Sequence, residues 1–112
     1  MNELMMIVTL IGNVTVTSYR SVPEQTDSTP FITSIGDRTH RSGVAVSQDL
    51  LKAGIVKYGD VVYVEGYGFK IINDTMNPRH KNHVDMWVET YEQEKAVGVR
   101  KLNVYRVRGK IK

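Results

Sequence analysis

Apolar and polar positions alternate with a period of two along most of this chain, and many of the apolar ones are β-branched. That pattern belongs to strands with one buried face. "IVTL" (7–10) and "VTVTSY" (14–19) read as two strands, with Gly12-Asn13 between them as a turn or bulge. "SGVAVS" is a short strand that runs into "SQDLLKAG", where Ser47 can cap a helix of one or two turns that Gly54 ends. "GDVVYVEGYGFKIIND" reads as a hairpin: strand 61–65, a glycine-rich turn at Gly66 to Gly68, strand 69–73. "HVDMWV" and "RKLNVYRVRG" are further strands. "TYEQEKAVG" is the clearest helix, with Thr90 and Gln93 as a capping box and Gly98 past its last turn. Residues 20–41 form a polar stretch with two prolines and no period, and a loop of that length in a small domain is usually functional. The expected fold is mainly β: six or seven short strands and one or two short helices in a small closed barrel.

Composition narrows the picture modestly. With 112 residues and a 41% hydrophobic fraction, the chain makes one domain around one core. It has no cysteine, which excludes disulfides, a thiol nucleophile and cysteine-ligated zinc. A net charge of +3 suits an anionic partner (wall polymer, nucleic acid or membrane surface) without choosing among them. "MNELMMIVTLIG" is too short to span a bilayer, and Glu3 stands where a signal peptide is basic. It reads as a first strand. The expectation is a protein made in the cytoplasm without a signal peptide.

The candidate chemistry centres on "DTMNPRHKNHVDMW", residues 74–87. Asp74 and Asp85 close two apolar strands on either side of a basic loop carrying Arg79, His80, Lys81 and His83. His40, His80 and His83 with an aspartate could be drawn as a zinc site, but His80-x-x-His83 lacks the helical spacing of a zincin, so no metal is expected. No G-x-S-x-G elbow exists for a serine triad, and "GYGFK" is a hairpin turn with no helix after it to cradle phosphate. Paired carboxylates remain. Two of them facing one cleft do not both ionise cheaply, so one is held protonated near neutrality and suits general-acid cleavage of a glycosidic bond. The plainer alternative is that Asp74 makes an Asx-turn and Asp85 pairs with Arg79 or Lys81.

"GVAVS…YGDVVYVEGYGFKIINDT…NHVDMWVETYEQEKAVGVRKLNVY" resembles the three-aspartate domain, a family that shares a double-psi β-barrel with the catalytic domain of membrane-bound lytic transglycosylase A. The resemblance runs over about residues 14–107 and keeps "VEGYG" and the eleven-residue step between the last two aspartates. It implies that Asp85 is the proton donor and Asp74 its partner. Asp27, Thr33, Tyr19, Arg79 and Lys81 would then contact substrate, and Trp87 would pack beneath the groove. Two departures stand out. The family's first aspartate is Ser47 here, with Asp49 and Asp27 as alternative stand-ins, and its Asp-Thr-Gly-Gly is "DTMN".

The resemblance therefore implies a cofactor-free peptidoglycan lytic transglycosylase. Such a protein would be monomeric, would bind glycan strands rather than nucleic acid or membrane, and would act on the wall as a phage lysis or virion component. A wall-binding module on the same barrel, without catalysis, is the alternative. A nucleic-acid-binding barrel using "RKLNVYRVRGKIK" is a third reading, although alternating Arg and Val there is more simply a half-exposed strand.

Overall fold

The computed structural model describes residues 3–21 and 42–111. Among them are six strands and two helices: β1 (Leu4–Tyr19), β2 (Gly43–Val46), α1 (Gln48–Lys52), β3 (Val61–Val64), β4 (Gly68–Thr75), β5 (His83–Trp87), α2 (Tyr91–Val97) and β6 (Arg100–Ile111). The strands close into a barrel in the order β1-β5-β2-β4-β3-β6. β1 pairs parallel with β5 and β2 parallel with β4, and every other pairing is antiparallel. In the barrel β5 therefore stands between β1 and β2, which are consecutive in the chain, and β2 stands between β4 and β5.

Valine fills the interior. Val14, Val16, Val44, Val46, Val62, Val64, Val84 and Val104 are all fully buried, joined by Ile72 and Met86. A barrel of so few strands is narrow, and short β-branched side chains fill it from all sides without strained rotamers. The expected capping box on α2 is present, with Thr90 accepting from the Gln93 N–H and the Gln93 side chain returning to the Thr90 backbone. Gly98 ends the helix at φ 59°. In the β3–β4 hairpin, Gly66 and Gly68 both take positive φ, as the tight turn requires.

Two bulges decide which side chains face where. In β1 the register against β6 shifts between Leu10 and Gly12, so the segments read as two strands form one long strand with an extra residue, Ile11. Even-numbered side chains point outward before the bulge (Leu4 to Leu10) and inward after it (Val14, Val16). The second bulge lies between β2 and β4: Val44 is opposite Ile72, but Ala45 is opposite Asp74, leaving Asn73 as the extra residue. Without it Asp74 would face the core beside Val46.

Beyond the pairing with β3, residues 4–7 of β1 and 108–111 of β6 run on as a two-stranded ribbon, and the long axis measures 50 Å against 28 and 25 Å for the others. On the ribbon's inner side Arg108 grips the buried Asp60 with two hydrogen bonds of 2.7 and 3.1 Å. Burial raises the Asp60 pKa, but the hydrogen bonds from Arg108 and from the Lys57 N–H hold it below the ordinary carboxylate range. No helix among the described residues is long and apolar enough to cross a membrane.

Candidate active site on the outer wall

Strand register, more than loop position, brings the two aspartates together. Asp85 of β5 lies opposite Thr17 of β1 on one side and Ala45 of β2 on the other, and Ala45 in turn lies opposite Asp74 of β4. Residues in register share a face. Their neighbours Val16, Val84 and Val46 point into the core, so Thr17, Asp85, Ala45 and Asp74 form a row on the outside of the wall. Ala45, between the two aspartates, is the small residue of the row and is itself buried. Two strand spacings put their backbones about 10 Å apart.

Asp85 is the perturbed group. Its pKa is raised to about 6, first by burial and further by the charges of Glu94 and Asp74, against a hydrogen bond from Thr17 that lowers it. The expectation that a neighbouring aspartate would hold the proton is thus right in direction but secondary in size: Asp74 is the weakest of the named causes and desolvation the strongest. With a whole strand, β2, between the two aspartates, their Coulomb coupling is weaker than that of a pair in direct contact, because the energy falls with distance.

Thr17 Oγ1 donates to Asp85 Oδ1 at 2.8 Å and meets His83 Nε2 at 2.7 Å. A hydroxyl has one proton, so while it donates to the carboxylate it accepts from His83 Nε2–H. Burial, then the charges of His80 and Lys101, lower the His83 pKa, so the imidazole is neutral at pH 7. His83 serves this chain of hydrogen bonds and also packs edge-on against His80, with ring centroids 5.1 Å apart. No cluster of three or more metal-ligating side chains occurs among the described residues.

Tyr19 stands two residues beyond Thr17 on the same face, nearly buried, with its hydroxyl 3.5 Å from Asp74 Oδ2. Burial, then the charges of Asp74 and Asp85, push its ionisation up, so it acts only as a neutral donor. Asp74 Oδ1 accepts from the Thr75 N–H at 2.8 Å, and its other oxygen faces Tyr19. Asp85 is tied to Thr17, not to Arg79 or Lys81.

The basic loop is stapled to the barrel by the residues that open α1. Ser47 Oγ accepts from the His83 N–H at 3.0 Å, Gln48 Nε2 donates to the Met76 carbonyl at 3.1 Å, and Asp49 Oδ2 accepts from the Asn82 N–H at 3.0 Å. Ser47 is therefore at the N-cap of α1 without capping it: its hydroxyl is fully buried against β5. Neither Ser47 nor Asp49 presents a free carboxylate to the row. Burial raises the Asp49 pKa, but hydrogen bonds from Ser47, Asn82 and Leu50 outweigh it and hold the group ionised. Arg79 and Lys81 are exposed on the loop, with the Arg79 N–H turned onto Asn77 Oδ1. Asp27 and Thr33 lie outside the described residues.

Trp87 is two residues along β5 from Asp85 and partly buried, its Nε1 donating to Ser21 Oγ at 2.7 Å. It borders a cleft of about 330 Å3 between β5 and α2 that Tyr67, Lys70 and Gln93 also line. The cleft does not include the aspartates. Sequence reasoning missed Thr17 and Glu94. Thr17 falls on the polar side of "VTVTSY", but only the β1–β5 pairing places it against Asp85. Compared with known protein families and with curated proteins, the chain matches no family model and no curated protein.

Proposed function

We propose that this protein is a peptidoglycan lytic transglycosylase of the three-aspartate type, with Asp85 as its acid and base. The observation that carries the reading is Asp85 itself: a carboxyl on the outer barrel wall, half-protonated near pH 6 and oriented by a hydroxyl donor. The closed six-strand barrel, with β1 parallel to β5 and β2 parallel to β4, is compatible with a double-psi barrel, the fold of that family.

In this mechanism protonated Asp85 gives its proton to the glycosidic oxygen between N-acetylmuramic acid and N-acetylglucosamine as the bond to C1 breaks. The resulting carboxylate accepts the proton of the muramyl 6-hydroxyl, whose oxygen bonds to C1. The ring closes to the 1,6-anhydro sugar, no water is consumed, and Asp85 ends protonated. Thr17 fixes the reactive carboxyl. Asp74 and Tyr19 form the neighbouring polar wall, while Arg79 and Lys81 form a cationic rim for the acidic stem peptides of the wall.

A wall-binding module without catalysis is the second reading. It is favoured by Ser47, which occupies the position of the family's first aspartate with its hydroxyl buried and committed to the His83 N–H. Digestion of purified peptidoglycan with mass analysis of the products separates the two. Release of anhydro-muropeptides supports the transglycosylase. Wall binding without release supports the module, and hydrated muropeptides would mean a hydrolase.

A further inference from the structure

The outer side of the ribbon and the strands beside it carry an apolar face. Leu4, Met6, Val8 and Leu10 of β1 stand opposite Ile111, Gly109, Val107 and Tyr105 of β6 in unbroken register. Tyr105 and Val107 in turn face Tyr63 and Val61 of β3, and Phe69 of β4 packs edge-on against Tyr63 with ring centroids 5.1 Å apart. Leu4, Met6, Val8 and Phe69 are each 58–69% exposed. In its middle is a hollow of about 440 Å3 whose lining is wholly apolar.

We infer that this face is the contact surface for a second copy of the chain, packed about a two-fold axis. Its area is the first reason. Leu4, Met6, Val8, Leu10, Ile111 and Phe69 are each more than half exposed, and side chains of that size and exposure amount to on the order of 800 Å2, what one partner contributes to an interface of standard size and above the roughly 300–600 Å2 of the largest apolar patch on an ordinary monomer.

Charge is the second reason. Arg106, Arg108 and Lys110 of β6 all fall on the inner side, where Arg108 is bound by Asp60 and Arg106 donates to the Ile55 carbonyl at 2.8 Å. No charged side chain stands on the outer side between Leu4 and Leu10 or between Tyr105 and Ile111. A face without charge offers nothing to select a charged partner protein, and it lacks the basic residues that hold amphipathic surfaces on anionic membranes. Against its own copy it brings no like charges together between Leu4 and Leu10 or between Tyr105 and Ile111. Shape is the third: each copy offers a projecting apolar ribbon and an apolar hollow, the self-matching pair that a closed two-fold contact needs. The aromatic cluster at the hollow is where binding energy concentrates. The inference stands on this face alone and does not depend on the proposed activity.

Sedimentation velocity of the full chain over a roughly hundredfold concentration range tests it. The expected result is a species of twice the 12.7 kDa chain mass that dissociates on dilution. The double variant Val8→Lys/Phe69→Glu changes only exposed side chains, so it should keep the wild-type circular dichroism and sediment at half the wild-type mass. Lys110→Glu, on the inner side of the ribbon, should keep the doubled mass. A wild type at the single-chain mass throughout overturns the inference, as does a doubled mass unaffected by Val8→Lys/Phe69→Glu. If that double variant is misfolded, Met6→Lys alone replaces it under the same criterion. A monomer that instead co-floats with neutral phosphatidylcholine vesicles would assign the face to a membrane and also overturn it.

Discussion

Replacing Asp85 by Asn should remove activity and stabilise the fold, and the stabilisation should depend on pH in a set direction. Asp85 titrates near its ordinary value of 3.8 in the unfolded chain and at about 6 in the folded one. Between those values the folded state binds more protons than the unfolded state, so wild-type stability falls as pH rises from about 4 and levels off above about 6. A shift of about two pKa units at 1.36 kcal/mol each corresponds to on the order of 3 kcal/mol. The amide carries no charge at any pH and still accepts from Thr17, so the variant lacks that fall. Denaturant unfolding of both proteins across this range is the assay. The quantity to follow is variant minus wild-type stability, which cancels any constant effect of the substitution. It should grow by about 2–3 kcal/mol between about pH 4 and pH 7, a large part of a small domain's total. A difference that stays flat with pH would refute the buried, destabilised carboxylate on which the site rests. Activity gives the second arm: loss of a general acid usually costs a hundredfold or more. Near-wild-type cleavage by Asp85→Asn would exclude it as the proton donor.

Other perturbations probe the neighbours. Thr17→Val removes the one interaction that lowers the Asp85 pKa, so the carboxyl should titrate higher by NMR and the alkaline limb of the activity profile should move up; an unchanged titration would refute the bond. Glu94→Gln and Asp74→Asn should each lower the Asp85 pKa, with Glu94→Gln the larger effect, and the reverse order would mean the two aspartates couple more closely than strand register allows. Arg79→Gln with Lys81→Gln should weaken binding to intact wall and flatten its salt dependence while sparing short peptide-free glycans; equal loss on both substrates would move the loop into the catalytic step. EDTA should leave cleavage unchanged, and loss of activity restored by zinc would overturn the two-carboxylate mechanism.

The sequence by itself determined the elements, because their causes are local. Alternation marks the valine strands, Gly66 and Gly68 mark the hairpin, and Thr90 with Gln93 marks the start of α2. It also singled out Asp85 and Asp74, since aspartates beside a basic loop are conspicuous in otherwise apolar strands. What local pattern could not decide was phase. In β1 the run Leu4, Met6, Val8, Leu10, Val14, Val16 looks like one apolar stripe for one core. The extra residue Ile11 reverses it, burying Val14 and Val16 while turning Leu4 to Leu10 outward. The same device at Asn73 brings Asp74 out to the row of Asp85. A bulge is chosen by the partner strand's register, which depends on residues about thirty to ninety positions away in the chain. The Asp85 pKa was decided the same way, because desolvation depends on everything that packs around the carboxyl. Spacing along one loop suggested charge repulsion as its cause, and the fold made burial the stronger one.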